Sequence, residues 1–342
     1  MTPAATPSYA WAPGRICLFG EHQDYFGLPV AAASLPLGIG ITAADRPDRR
    51  VLIDLPDTGE QLDYDLDDLP SLTPRAYLLS VLHRFRAAGR LPDRGFSATV
   101  RGDLPRGAGA SSSTALTVAW TRLCAARAGL SLTDAEVADW AYRAEVVDFG
   151  EPGGQMDHWA CAIGGALHLT FDPVPAYTPL ALPPGGTFVL IDSGEPKDTL
   201  AVLRRARFSR LALFDRVPDW DWRRASADAA IPPPTSGPAW TPDDLALLRG
   251  TLLNRDVSAA GIAALRAGDA PAAGRLLTAH HAILRDVLGT STPRIDALLD
   301  AACAAGAWGG KINGSGGGGT CFAYCAVEVA EAVEQAVGEV GG

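Results

Sequence analysis

The chain has 342 residues, 47% hydrophobic and 20% charged, with a formal net charge of -10. That length favours two domains, and the balance supports a large buried core. The acidity excludes a broad nucleic-acid footprint, which needs a basic face, although a nucleotide pocket needs only a few local donors. Met1 to Ser8 contains no basic segment followed by an apolar core, so no signal peptide is read. No apolar run approaches the roughly 20 residues that span a bilayer. The six cysteines, Cys17, Cys124, Cys161, Cys303, Cys321 and Cys325, are scattered among apolar residues without a C-x-x-C pair. They read as small buried hydrophobes, and a reducing cytoplasm fits them.

In chain order, Ile16 to Phe19 reads as a buried strand that breaks into Gly20, Glu21, His22 and Asp24. Hydrogen-bonding groups crowded just past a buried strand suit a binding loop that pairs with hydroxyls. A turn with solvated charges fits the same residues. Val30 to Ala43 looks like a strand pair, Arg46 to Arg50 a basic turn, and Val51 to Leu66 a hairpin. Helical spacing runs from Arg75 to Ala88.

A strand at Phe96 to Val100 then leads into Leu104-Pro-Arg-Gly-Ala-Gly-Ala-Ser-Ser-Ser113 and an amphipathic run to Ala128. This is strand, glycine loop, helix start. Gly107 and Gly109 admit backbone shapes that a side chain forbids, and Ser111, Ser112 and Ser113 are N-cap residue types. The first turn of a helix leaves N–H groups unpaired and carries a positive partial charge, so a phosphate fits there. An ordinary glycine turn with a serine cap fits as well. The loop lacks the lysine of a Walker A motif.

Ser131 and Thr133 open another helix that runs to about Val147, with Glu145 near its end. Pro152, Gly153 and Gly154 break it, and Asp157 follows in a position that suits a helix cap. A strand at Ala166 to Phe171 closes this half. Thr187 to Asp192 is a strand. Leu200 to Phe214 is helical, with Arg204, Arg205, Arg207 and Arg210 mostly on a solvated face. An insertion at about 218–243, set in the helical C-terminal half, reads as irregular from its prolines and tryptophans. Helices fill Asp244 to Ala305, where the adjacent His280 and His281 point about 100° apart and read as packing or capping histidines. Lys311-Ile-Asn-Gly-Ser-Gly-Gly-Gly-Gly-Thr320 precedes a strand at Cys321 to Val327. Its glycine loop, 314–319, reads as a close backbone approach to a ligand or another loop.

Three motifs in this order, R-x-x-x-x-G-E-H-x-D, P-x-G-x-G-x-S-S-S and G-S-G-G-G-G, resemble the GHMP kinase superfamily. Within it, Gly20-Glu-His-Gln-Asp-Tyr25 and Gly154-Gln-Met-Asp157 are similar to galactokinase signatures. The resemblance implies an α+β fold of two domains with the active site in the cleft between them. The N-terminal domain (1–180) carries the phosphate loop, and a ferredoxin-like C-terminal domain (181–342) carries the last glycine loop. It also implies roles. Asp157 would be the base and Arg15 its stabilising partner. Gly107, Ala108, Gly109, Ser111, Ser112 and Ser113 would cradle ATP, and Ser113 and Glu145 would hold Mg²⁺. Glu21, His22, Asp24 and Gly154 would bind the sugar.

The expected activity is transfer of the ATP γ-phosphoryl group to a sugar hydroxyl, most naturally the anomeric hydroxyl of galactose or a related sugar. The alternatives are a kinase for another sugar or alcohol such as mevalonate, and a non-catalytic sugar and ATP sensor. The expected protein is cytoplasmic, a monomer or homodimer, with a small-molecule partner and neither nucleic acid nor membrane. Departures from the galactokinase pattern concern the sugar. Gln23 stands for Thr, Phe26-Gly27-Leu28 for Asn-Gly-Gly, and Ala110 for Leu, and the tyrosine expected in the stretch Asp198 to Arg205 is missing.

Overall fold

The computed structural model describes residues 8–104 and 109–342; Gly107 and Ala108 lie outside them. By compactness the chain forms two units, each assembled from separate stretches. One comprises 1–15, 34–106 and 111–164, and the other 16–33, 107–110 and 165–342.

Strand β1 is Ser8–Phe19 and β2 is Val30–Asp45. The expected strand pair over Val30 to Ala43 is therefore one strand of 16 residues. Its Pro36, Gly38 and Gly40 are accommodated along a continuous strand. In the first unit, β3 (Arg50–Leu55) and β4 (Glu60–Asp65) form the expected hairpin. β3 runs parallel to β5 (Phe96–Gly102), with Val51 opposite Phe96. β5 pairs antiparallel with β2, Ile39 opposite Gly102.

Four helices belong to the same unit: α1 (Tyr77–Ala87), α2 (Ser112–Arg127), α3 (Asp134–Tyr142) and α4 (Met156–Ile163). Thr133 and Glu136 close a capping box that starts α3. α3 runs on as a π-turn, Arg143–Val147. The core gathers Phe85, Phe96 and Trp120, and the Trp120 indole N–H donates to the Leu78 carbonyl at 3.0 Å.

In the second unit, the first part of β2 pairs antiparallel with β6 (Ala166–Thr170), which pairs with β7 (Ala176–Pro179). A separate three-stranded antiparallel sheet has the order β8 (Gly186–Asp192), β10 (Thr320–Ala326), β9 (Gly309–Ile312). The helices are α5 (Thr199–Phe214), α6 (Pro242–Arg266), α7 (Ala270–Asp286), α8 (Pro293–Ala304) and α9 (Ala330–Glu339). The continuous helical reading of Asp244 to Ala305 thus resolves into three helices. Each starts with a side-chain cap and a proline at N1 or N2. Ile191, Leu284, Ile295, Leu298, Ile312, Cys321 and Val333 form the core between this sheet and its helices.

Five of the six cysteines are buried free thiols; Cys303, on the outer side of α8, is exposed and departs from the expectation. Residues 218–241 are turns, bends and irregular chain. They are anchored rather than loose. Trp222 stacks on Phe214 at 4.0 Å and meets Phe26 edge-on at 5.7 Å, in a cluster with Leu28, Leu248 and Leu252. No described helix is long and apolar enough to cross a membrane.

Candidate active site

In the first unit, β1 ends its stay at Arg15, and α4 places Asp157 in its first turn. The two meet in a two-point ion pair. Arg15 Nε donates to Oδ1 at 2.8 Å and the terminal nitrogen to Oδ2 at 2.7 Å. Ser111 Oγ donates to Oδ2 at 2.7 Å. Asp157 is therefore not a helix cap: its carboxylate is held by side chains from two other segments. Burial works to raise its pKa. The charge of Arg15 and the hydrogen bonds from Arg15 and Ser111 outweigh that and leave the group below the ordinary carboxylate value.

Ser111 occupies the N-cap of α2, but with φ 62° and no side-chain cap bond. A left-handed conformation is uncommon outside glycine. Here it accompanies a hydroxyl turned to Asp157 instead of to the helix. The first N–H groups of α2 are thus left uncapped by a side chain, which suits an anion. Ser112 and Ser113 open the same turn, with Ser113 exposed. Glu145 sits in the π-turn, a geometry that recurs at functional sites. It is buried and accepts from His158 Nε2 at 2.9 Å. A carboxylate fixed by a second residue, and a serine hydroxyl, are hard oxygen donors of the kind Mg²⁺ takes. Gly154 is half-buried just before α4.

In the second unit, the chain leaves β1 through Gly20 into a loop whose polar groups face inward. Glu21 is fully buried and ion-paired to Lys311, a cation equally buried on β9. Burial raises the Glu21 pKa against the opposing pull of Lys311. His280 Nε2 lies 3.8 Å from Glu21 Oε2, while the ring stacks on Phe19 and neither of its nitrogens has a hydrogen-bond partner. His280 is thus a packing histidine, but not a satisfied one. His281 is satisfied: its Nδ1 accepts from the Ile312 N–H and its Nε2 bonds Asp296 at 2.9 Å.

His22 uses both ring nitrogens, with the Tyr25 hydroxyl at 3.1 Å and the Ser315 carbonyl at 3.0 Å. Asp24 begins a 3-10 turn, Asp24–Phe26, and is half-buried. Gln23 is buried and donates to Ser258 Oγ at 2.9 Å.

Gly109 also belongs to this unit. Its φ is +87°, and a Cβ there would stand 2.5 Å from Lys197 Nζ and 3.1 Å from the Asn313 carbonyl. Asn313 Nδ2 donates to the Gly109 carbonyl at 3.1 Å. The glycine loop makes the close approach to another loop that its composition implies: Gly317 N–H donates to Thr290 at 2.7 Å and Gly319 N–H to Glu195 at 3.0 Å.

Four residues of these surroundings escape sequence reasoning. Lys197, Asn313 and Lys311 carry no local signal, because their partners are distant in the chain. Arg210 did carry one. It lies with Ala206, Leu213 and Phe214 on the buried stripe of α5, at i, i+4, i+7 and i+8 spacing. It is therefore not on the solvated face but fully buried.

Comparison with known proteins fits both halves. Residues 76–165 match the GHMP kinases N terminal domain, 262–341 the GHMP kinases C terminal model, and 3–45 the galactokinase galactose-binding signature. Galactokinase of Mycobacterium bovis is 32% identical over 98% of this chain and 94% of its own. Galactokinase of Chloroflexus aggregans is 30% identical over 93% of this chain and 84% of its own. The crystal structure of Lactococcus lactis galactokinase complexed with galactose superposes with a TM-score of 0.87. It is 26% identical and covers 98% of this chain and 90% of that one. The fold is the two-domain α+β fold of the GHMP kinases. The chain belongs to that superfamily, in its galactokinase family, and is a sugar kinase.

Proposed function

We propose that this kinase uses ATP and Mg²⁺ to phosphorylate the anomeric hydroxyl of galactose or a closely related sugar. Asp157 accepts the proton as the sugar oxygen attacks, and Arg15 keeps that carboxylate ionised and in line. The reading rests on the two-point grip of Arg15 on Asp157, which holds a base charged and oriented. Bound nucleotide would supply the phosphoryl group, and magnesium would neutralise developing charge. Gly107, Ala108, Gly109, Ser111, Ser112 and Ser113 are proposed to hold the phosphates. The uncapped turn of α2 and the crowding at Gly109 support this. Ser113 and Glu145 are proposed to hold the metal. Glu21, His22, Asp24 and Gly154 are proposed to recognise the sugar, with Glu21 and His22 acting through the loop shape they maintain.

The departures at Gln23, Phe26 and Leu28 are buried against unit-two helices or the 218–241 segment, so they would act on the choice of sugar only through the shape of the loop. Residues 1–180 and 181–342 are proposed as the sequence domains, and the N- and C-terminal family models fall in one each. Its buried free thiols support a reducing, cytoplasmic setting.

The test is ADP release with Mg-ATP against a panel of free sugars plus mevalonate and homoserine, repeated with Asp157→Asn. Galactose should lead the panel. The variant should bind sugar and ATP but lose about 10²–10⁴-fold in kcat, the usual worth of a positioned base. Turnover that survives in the variant would remove Asp157 from the role of base.

A further inference from the structure

Arg210 is a fully buried cation whose described acceptors are all uncharged. Its Nε donates to the Ala206 carbonyl at 2.7 Å, and one terminal nitrogen donates to the His22 carbonyl at 2.8 Å and the Tyr25 hydroxyl at 2.5 Å. Its second terminal nitrogen has no hydrogen-bond partner. The guanidinium also lies 4.6 Å from the Phe26 ring centre and 5.7 Å from that of Tyr25. A buried cation held only by neutral oxygens and ring faces is costly. Every feature that compensates it comes from Ala206, one turn back, or from residues 22–26.

The hydrogen atoms along this chain of contacts are determined. The Ser315 carbonyl can only accept, so His22 Nε2 carries the proton that bonds it. Burial, reinforced by Arg210 and by Lys197 and Lys311 nearby, pushes the His22 pKa down to about 3, so the ring is neutral and Nδ1 has only a lone pair. Nδ1 therefore accepts from the Tyr25 O–H. That leaves the Tyr25 oxygen to accept from Arg210. The order is Arg210 to Tyr25 to His22 to Ser315, each donating to the next.

We propose that Arg210 is a positioning residue for the sugar loop: through Tyr25 it fixes the His22 imidazole in one tautomer, and that ring pins the loop after β1 to the glycine loop at Ser315. The inference deepens the sugar-binding reading of residues 20–27 and rests on it. His22 then serves the sugar by shaping the loop rather than by lending it a ring nitrogen. The same loop is held from a second side, where Arg223 Nε donates to the Phe26 carbonyl at 3.1 Å.

The test uses the full chain with Tyr25→Phe and Arg210→Met, each checked for an unchanged far-UV spectrum and a cooperative melt. Tyr25→Phe keeps the ring and removes only the hydroxyl, so it remains informative if Arg210→Met fails to fold. Steady-state kinetics should show KM for the sugar raised at least fivefold, with KM for ATP and kcat within twofold. Nitrogen-15 spectra of the imidazoles, with His22 assigned by His22→Gln, should show a protonated Nε2 and an unprotonated, hydrogen-bonded Nδ1 from pH 5 to 8. In Tyr25→Phe the Nδ1 signal should move toward that of a free lone pair. Unchanged sugar KM in both folded variants would overturn the proposal, as would a proton on Nδ1 or an equal rise in both KM values. Failure of the underlying sugar reading shows differently: the unmodified chain would turn over no sugar on the panel, while the nitrogen-15 signals would keep their pattern. That result overturns both.

Discussion

Arg15 and Asp157 stand 142 positions apart, and in the proposed roles their pairing would set the acid behaviour of the reaction. Without the guanidinium, burial would be opposed mainly by the Ser111 hydrogen bond, and the Asp157 pKa would rise. In the unmodified chain Arg15 and Ser111 hold the carboxylate proposed as the base below its ordinary value, so its protonation should not limit kcat/KM near neutral pH. In Arg15→Met the acid limb should move to higher pH, because the main opposition to burial is gone, besides a large loss of rate. A pH–rate profile checks this; an acid limb that stays put would mean Arg15 does not set the ionisation of Asp157. The residue types of this pair were legible in the sequence by resemblance alone. Composition and spacing allowed Asp157 to be a cap, and only the fold brings Arg15 and Ser111 to it. Ser111 shows the same limit. Its cap propensity is real, but the hydroxyl bonds Asp157 and the backbone adopts a left-handed turn instead.

At the scale of elements, the hairpin of β3 and β4, the helix α1 and the strand β8 were readable from periodicity, while α2, expected to be amphipathic, is buried on all sides. The misses have physical causes. β9 is Gly-Gly-Lys-Ile, too short and too glycine-rich to show alternation, and it forms because β10 offers it a register, Cys321 opposite Ile312. β7 is exposed along its whole length and has no apolar face to betray it. The segment 218–241 looked irregular and is, yet its role is packing. Phe26 and Leu28, which replace small polar and glycine positions of the galactokinase pattern, lie under Trp222. Trp222→Ala should cost about 3–5 kcal/mol, as for other buried aromatic truncations. It should also open residues 224–238 to limited proteolysis. Urea unfolding and a timed digest measure both, and a change under 1 kcal/mol with no new cleavage would show that the segment is not anchored there.

For the whole molecule, the interleaving of the two units matters more than any cut point. The second unit takes in 16–33 and 107–110 as well as everything from 165 onward. A fragment of residues 165–342 would therefore keep Lys311 without Glu21, and Asn313 without the Cys17 N–H that bonds its side chain at 3.0 Å. An unpaired buried charge is worth several kcal/mol of instability. Expressed alone, this fragment should give no cooperative thermal transition, whereas the full chain should. A sharp melt from the fragment would show that the early segments are dispensable. Cys17 and Lys311 are 294 positions apart, joined by a bond from Lys311 Nζ to the Cys17 carbonyl at 2.9 Å. On a ribosome moving at about 5–20 residues per second, the loop after β1 waits on the order of 15–60 s for its cation. Throughout that interval Glu21 lacks the cation that pairs it in the folded chain. The strands made late in synthesis thus complete the loop that follows β1.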